Sequence, residues 1–418
     1  YAPLAWKSSM RSARSDSLPA LASIAALSRP MSTPEYYHAS IGTHARTLEP
    51  ARKIVAVLEG DHAISIDRWQ AALDAVSAVN PGLRLRLHGQ RRATRWISDA
   101  PAPRVVRLPE RQWNTRSSFG AEFLIERPLS LREGCNVELL LLPRAGESTL
   151  VVLHTHHAIM DGAGAMHMLQ ELFRALRAEP LRGSNCTYSD VDLMREQRVP
   201  RSESRHVKTT WLTGEPSGLE RGDDWRRIAL GEPRRNQLAL VAAALAEFMH
   251  RHSDLPALIA VPVNLRRHQP GIVSTGNYSA MLHVALQRGE GADAFREKLS
   301  GLLASRSDAF YPGALDLVRW LPMPWLDRLL SRTPENFHRK RAVETAVISN
   351  LGRIDPLHYS APGFTLRDFF VLPLAGSAFS ILTCVDDRVD LALNLPRVLA
   401  SNGRFDAIEA HLRERFPA

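Results

Sequence analysis

Residues 53–60 (KIVAVLEG) read as a strand that ends at Gly60. Ser65 can cap a helix with Asp67 in its first turn, and Trp69, Leu73 and Val76 follow at i, i+4 and i+7 on one apolar face. Asn80-Pro81-Gly82 stops that helix, and 83–89 (LRLRLHG) alternates leucine with arginine or histidine as a half-exposed strand does. Segments 136–142 and 149–156 predict two more strands, joined by the turn-like PRAGES. A helix is predicted over 163–178, burying Met166, Leu169, Leu172, Phe173 and Leu176. Residues 181–235 are polar and keep no period, which predicts a crossover. Beyond it the spacing predicts a helix over 236–251, strands over 257–263 and 278–286, helices over 291–305 and 314–331, and closing strands over 345–350, 368–373 and 377–384, with 388–394 as a fourth. Strands and helices alternate on both sides of the crossover, so the class is α/β or α+β with a mixed sheet. The expected division is a poorly ordered tail at 1–30, an N-terminal lobe at 31–180, a crossover linker at 181–235 and a C-terminal lobe at 236–418.

Composition narrows the function classes. The 44% hydrophobic content excludes disorder of the whole chain, and no run approaches the roughly 20 uncharged apolar residues of a membrane span. Cys135, Cys186 and Cys384 are widely spaced and odd in number, so neither a disulfide framework nor a CxxC centre is expected, and a reducing cytoplasm is the default. Residues 1–30 are rich in Ser, Ala and Arg with Asp16 as the only acid, which suits a targeting segment, a linker from an upstream domain, or an over-extended reading frame with Met31 as the start. The net charge of +9 is nearly all arginine, since only five of the 53 basic residues are lysine. Base composition of the genome explains that bias, and an anion-attracting surface is the functional alternative. The arginines are scattered without interleaved aromatics, so no nucleic-acid partner is expected.

The chemistry concentrates in His154-Thr155-His156-His157-Ala158-Ile159-Met160-Asp161-Gly162, between a strand and a helix. A metal site fits poorly. His156 and His157 are adjacent and face opposite sides of a strand, and no HExxH helix is present. A dinucleotide loop starting at Gly162-Ala163-Gly164 needs a third glycine where His167 stands. His154 and His167 read as core histidines. His157 does not, because imidazole at the end of a strand can face a cleft and act as a base near neutral pH.

The heptad HHAIMDG fits HHxxxDG, and here the chain resembles the CoA-dependent acyltransferase superfamily, which includes condensation domains of peptide synthetases, plant-type BAHD acyltransferases, polyketide-associated acyltransferases and alcohol acetyltransferases. The likeness covers most of 34–418: LEGDHAISIDRWQAALDAVSAVNPGLRLRL resembles the opening strand and helix, PLSLREGCNVELLLL the segment before the active-site strand, VPVNLRRHQPGIVSTGNYSA the "D-x-R … GN" element, and VISNLGRI the SNLG strand. The chain departs from the plant-type branch in lacking DFGWG and in carrying Asn264 where that branch has Asp.

The resemblance implies two chloramphenicol-acetyltransferase-like αβ sandwich lobes in one chain, with an active-site tunnel between them. It implies a monomer with no tightly bound cofactor, an acyl-CoA or phosphopantetheinyl carrier-protein thioester as donor, and a small-molecule alcohol or amine as acceptor. It makes His157 the general base and gives Asp161 a structural role, paired with Arg266 or, failing that, Arg267. A second-base role for Asp161 stays open. His156 and Gly162 would support the site, Gly162 by allowing a sharp turn. Asn350, Asn277 and the backbone N–H groups around Gly162 are candidates for the oxyanion or the cleft lining, with a turn role as the alternative for both asparagines. No GxSxG elbow is present, in keeping with direct transfer. The competing readings are a stand-alone condensation-type enzyme, an epimerising member, and a catalytically silent docking or scaffold member of an assembly line.

Overall fold

The computed structural model describes residues 26–44, 52–61, 63–144, 148–200, 207–374 and 376–417. Its strands are β1 (Ser28–Pro30), β2 (Lys53–Asp61), β3 (Arg86–His88), β4 (Arg95–Ile97), β5 (Arg104–Arg107), β6 (Val137–Arg144), β7 (Ser148–His156), β8 (Asp223–Ala229), β9 (Ala257–Asn264), β10 (Ser279–Leu286), β11 (Ala346–Ile354), β12 (Asp368–Val371), β13 (Phe379–Val385) and β14 (Arg388–Pro396). They form a five-stranded sheet in the order β12-β2-β7-β6-β5, a six-stranded sheet in the order β10-β9-β11-β13-β14-β8, and a small sheet β1-β4-β3. Both large sheets are mixed, and the architecture is the two-lobed α/β fold.

All nine residues of β7 are buried, which is why its sequence shows little polar alternation. Val151 and Leu153 face a core shared with Trp69, Leu73 and Val76 of helix α2 (Ile66–Val79), where Ser65 accepts the Arg68 N–H as the cap. The same core takes Leu169, Leu172 and Phe173 of α3 (Gly162–Leu176). Trp69 meets Phe173 and Phe364 edge-on, at ring-centroid separations of 5.7 and 5.8 Å. Leu150 and Val152 face the opposite side, against Val55, Val57, Trp113 and Phe370. The six-stranded sheet is covered by α4 (Gln237–Met249), α5 (Ala292–Ala304) and the C-terminal helix Arg404–Arg415, through Leu245, Phe248, Phe295 and Ile408.

Several elements depart from the expected pattern. Most of the tail at 1–30 lies outside the described residues, but Ser28–Pro30 form β1 and Leu27 is buried in the main core. Only Arg86–His88 of 83–89 is strand, because Pro81 opens a 3₁₀ turn over Pro81–Arg84. The single helix expected over 314–331 is broken by Pro322 into a 3₁₀ helix (Gly313–Trp320) and α6 (Met323–Leu330). Strand β12, expected in the second lobe, pairs antiparallel with β2 and completes the first sheet. Its Phe369 and Phe370 enter the cores on opposite faces of that sheet. Strand β8 arises inside the polar 181–235 segment and pairs with β14, and its Trp225 packs against the outer face of the first sheet.

Arg227 of β8 locks these exchanged strands together. Its guanidinium donates to Asp368 of β12 at 2.8 and 3.1 Å and to Asp390 of β14 at 2.6 Å, 4.0 Å from the Phe370 ring centroid. Burial alone would raise the Asp368 pKa, but Arg227 and Arg388 outweigh it and hold it below its usual value. Arg227→Met removes the guanidinium and leaves buried carboxylates short of a partner. It should cost about 3–5 kcal/mol, measured as a lowered urea midpoint, with Asp368→Asn in the same background recovering part of the loss.

Candidate active site

Beyond β7 the chain runs through residues 157–160 into α3, and strand alternation sorts the histidines. His154 and His156 lie on one side of β7, and His157 lies on the other. Asp161 is the N-cap of α3 and its Oδ1 accepts the Gly164 N–H at 2.6 Å, a favoured place for a carboxylate. The second lobe supplies the other donors. Arg266 Nη1 reaches Oδ2 at 2.9 Å and Oδ1 at 3.2 Å, and the Tyr278 N–H reaches Oδ2 at 2.7 Å. Arg266 is itself held by the carbonyls of Ser274 and Gly276 at 3.1 and 2.7 Å, and lies 4.7 Å from the Tyr278 ring centroid. With both oxygens committed, Asp161 is built as a tie between lobes. Arg267 points elsewhere, to Asp308.

The special glycine is Gly164 rather than Gly162. A Cβ on Gly162 would stand 3.4 Å from Leu351 Cδ2, an ordinary contact, and Gly162 has no positive φ. A Cβ on Gly164 would stand 2.4 Å from the Thr275 carbonyl oxygen and 2.9 Å from that of Gly276. The first turn of α3 therefore lies backbone-to-backbone against the loop that carries Arg266's acceptors.

His157 is half-buried and lines a cavity of about 770 Å³ between the sheets. The cavity wall includes Ile54 and Ala56 of β2, Ala260 of β9, Val347 of β11 and Phe379 of β13. The His157 N–H donates to the Arg52 carbonyl at 2.9 Å, and Asn277 Nδ2 donates to the His157 carbonyl at 2.9 Å. Asn277 also approaches Nδ1, at 3.4 Å. The carbonyls of His157 and Met160 face the ring and favour its protonated form, in part offsetting burial. Burial lowers the His157 pKa, and the neighbouring Asp161 charge offsets only part of that. The opposite ring, which the sequence pattern did not single out, is His38 of α1 (Thr33–Ser40). It stacks on His157 with centroids 4.3 Å apart and planes within 10°. Burial first, then His157, Arg52 and His156, push His38 far below its usual value.

His156 is 3% exposed, accepts the Ala158 N–H through Nδ1 at 3.1 Å, and is pushed down by burial to about 3. His154 is fully buried beside Glu138, and His167 lies 3.1 Å from the Gly183 carbonyl. Asn350 does not reach the cavity. Alternation along β11 turns Ser349 and Leu351 inward, and Asn350 is exposed, accepting the Gly352 N–H at 3.0 Å. Asn277 buttresses His157 from behind and is not part of the cavity wall. Among the described residues no group of three or more His, Cys, Asp or Glu is placed to hold a metal.

No protein-family model matches the chain, and no curated protein matches it in sequence. Solved structures do match in shape. The first condensation domain of the CDA synthetase aligns at TM-score 0.64 and 15% identity over 94% of this chain and 96% of that one. The starter condensation domain of rhizomide synthetase, in a mutant complex with C8-CoA and Leu-SNAC, aligns at 0.63 and 15% over 93% of each. Polyketide synthase associated protein 5 from Mycobacterium tuberculosis aligns at 0.59 and 16% over 93% of this chain and 97% of that one. The chain has the condensation-domain fold.

Asp161→Ala and Arg266→Ala should each lower stability by about 3–5 kcal/mol, and the double variant should lose much less than the sum. Gly164→Ala should sharply reduce soluble yield, and Gly162→Ala should leave the melting temperature nearly unchanged. By histidine NMR, His157 should titrate below 6.5, the usual histidine value. His38→Ala, which admits water, should move that titration up, and His38→Phe should leave it low. Because the pKa of buried His156 is depressed to about 3, protonation favours the unfolded chain. The unfolding free energy should therefore fall by about 1.4 kcal/mol per pH unit for this group as pH drops below about 6.5, until its folded pKa is reached.

Proposed function

We propose that this chain is an acyltransferase that moves an acyl group from a CoA or carrier-protein thioester to a hydroxyl or amine, in secondary-metabolite or lipid biosynthesis. The observation that carries this reading is His157, its backbone held by Asn277 and the Arg52 carbonyl, in the wall of a cavity of about 770 Å³ between the sheets. The fold it shares with condensation domains, one of them crystallised with C8-CoA and Leu-SNAC, supports a thioester donor.

In the proposed reaction the unprotonated ring nitrogen of His157 takes the proton of the acceptor O–H or N–H as the oxygen or nitrogen attacks the thioester carbonyl. The C–S bond then breaks, and the imidazolium returns the proton to the departing thiolate. The products are an ester or amide and a free thiol. A lowered proton affinity suits this cycle, because His157 enters it neutral and releases its proton readily. The tetrahedral oxyanion would be met by the N–H groups of Gly162 and Ala163, which have no intrahelical acceptor, at the positive end of α3. Asp161 acts in this scheme through Arg266, by keeping the two walls of the cavity in register.

Release of free thiol from octanoyl-CoA, followed with and without a panel of amines and alcohols, tests the reading directly. His157→Ala should slow acyl transfer by roughly 10²–10⁴-fold with little change in melting temperature. A folded His157→Ala protein with near wild-type turnover would refute the mechanism. A scan with carrier-bound donors separates a CoA-using enzyme from a condensation-type one.

A further inference from the structure

Residues 313–330 leave large apolar side chains outside the core. Residues three apart eclipse one another in a 3₁₀ helix, and Leu317 and Trp320 stand out together at 67% and 55% exposure. On α6, Trp325 and Leu329 share a face at i, i+4 and are 72% and 62% exposed. The reverse face of α6 is firmly seated, with Met323, Leu326 and Asp327 buried. The Leu321 carbonyl accepts the Tyr36 hydroxyl of α1 at 2.6 Å, and Asp327 accepts the His44 N–H at 2.8 Å. The ridge is therefore a fixed part of the fold, and its outer edge is covered by nothing among the described residues.

Charge accompanies it. Arg328 is exposed between Trp325 and Leu329, and Arg92 lies 5.2 Å from the Trp320 ring centroid. From residue 313 to residue 341 there are six Lys or Arg against three Asp or Glu, among them the buried Asp327 and Asp316, which pairs with Arg195. Leu315, beside this ridge, is 45% exposed and also lines the cavity. Paired tryptophans and leucines that project from the surface, with cations at their margin, match the layered chemistry of a lipid interface. The rings and aliphatic chains enter the headgroup–acyl boundary and the guanidinium groups meet phosphate. A folded protein partner would need a matching groove, whereas a bilayer deforms around a ridge. No described helix is long and apolar enough to cross a membrane, so the contact is with a surface.

We propose that the ridge formed by Leu317, Trp320, Trp325 and Leu329, with Arg328, docks this protein on the surface of an anionic lipid bilayer, with the cavity wall at Leu315 beside the membrane. The proposal is independent of the acyl-transfer reading, and its test needs no turnover. The full chain is sedimented with phosphatidylcholine vesicles and with mixed phosphatidylcholine–phosphatidylglycerol vesicles. Binding should be stronger to the mixed vesicles and should weaken with salt. Trp325→Glu with Leu329→Glu should reduce partitioning by about tenfold or more. Arg328→Ala should reduce binding to the mixed vesicles by about fivefold. These side chains are exposed, so melting temperatures should not change, and Trp325→Ala with Leu329→Ala serves as a second variant without new charge. The proposal is overturned if neither vesicle binds at low salt, or if binding is unaffected in both double variants and so resides elsewhere. It is equally overturned if the ridge variants impair only binding to a purified acyl carrier protein.

Discussion

The ion pair between Asp161 and Arg266 is the constraint on which the site depends. Asp161 ends the turn that presents His157 and caps α3, whereas Arg266 belongs to the segment joining β9 to β10 in the other sheet. One carboxylate thus satisfies a helix terminus, a guanidinium and the Tyr278 amide together. A buried charge in this position is tolerated only with its geometry complete. The same contact that stabilises the lobe junction therefore sets where the base stands relative to the wall facing it.

The two sheets are also braided. β12 comes from the second half of the chain to complete the first sheet, and β8 brings Trp225 from the second sheet into the outer core of the first. Arg227 joins the exchanged strands on the side away from α3. Separating the lobes would expose aromatic surface and strand buried charge at once. The cavity therefore lies between bodies that the chain itself has stitched at two places.

Much of this was legible in the sequence. The apolar periods of α2 and α3 and the continuous apolar runs of β6 and β7 each pointed to one element, because burial on one helical face or on both strand faces leaves a plain pattern. The opposition of His156 and His157 and the pairing of Asp161 with Arg266 could be anticipated, the first from strand geometry and the second from family likeness. What could not be read was long-range. The short strand β12 carries no mark of which sheet it joins, and DDWRRIA looks like loop until Arg227 finds its two carboxylates. His38 lies in a short helix whose sequence gives no reason to look for a partner 119 positions away. Of the two roles open to Asn350 the structure takes the turn, because a motif gives an order of residues and the parity of β11 decides which of them face inward.

The close approach at Gly164 has a mechanical consequence. Two backbones in van der Waals contact cannot be pressed nearer, and the ion pair beside them resists their separation. The spacing between the first turn of α3 and the loop at 274–276 is therefore fixed in both directions, beside His157. The reacting end of the cavity keeps its dimensions whatever the cavity admits.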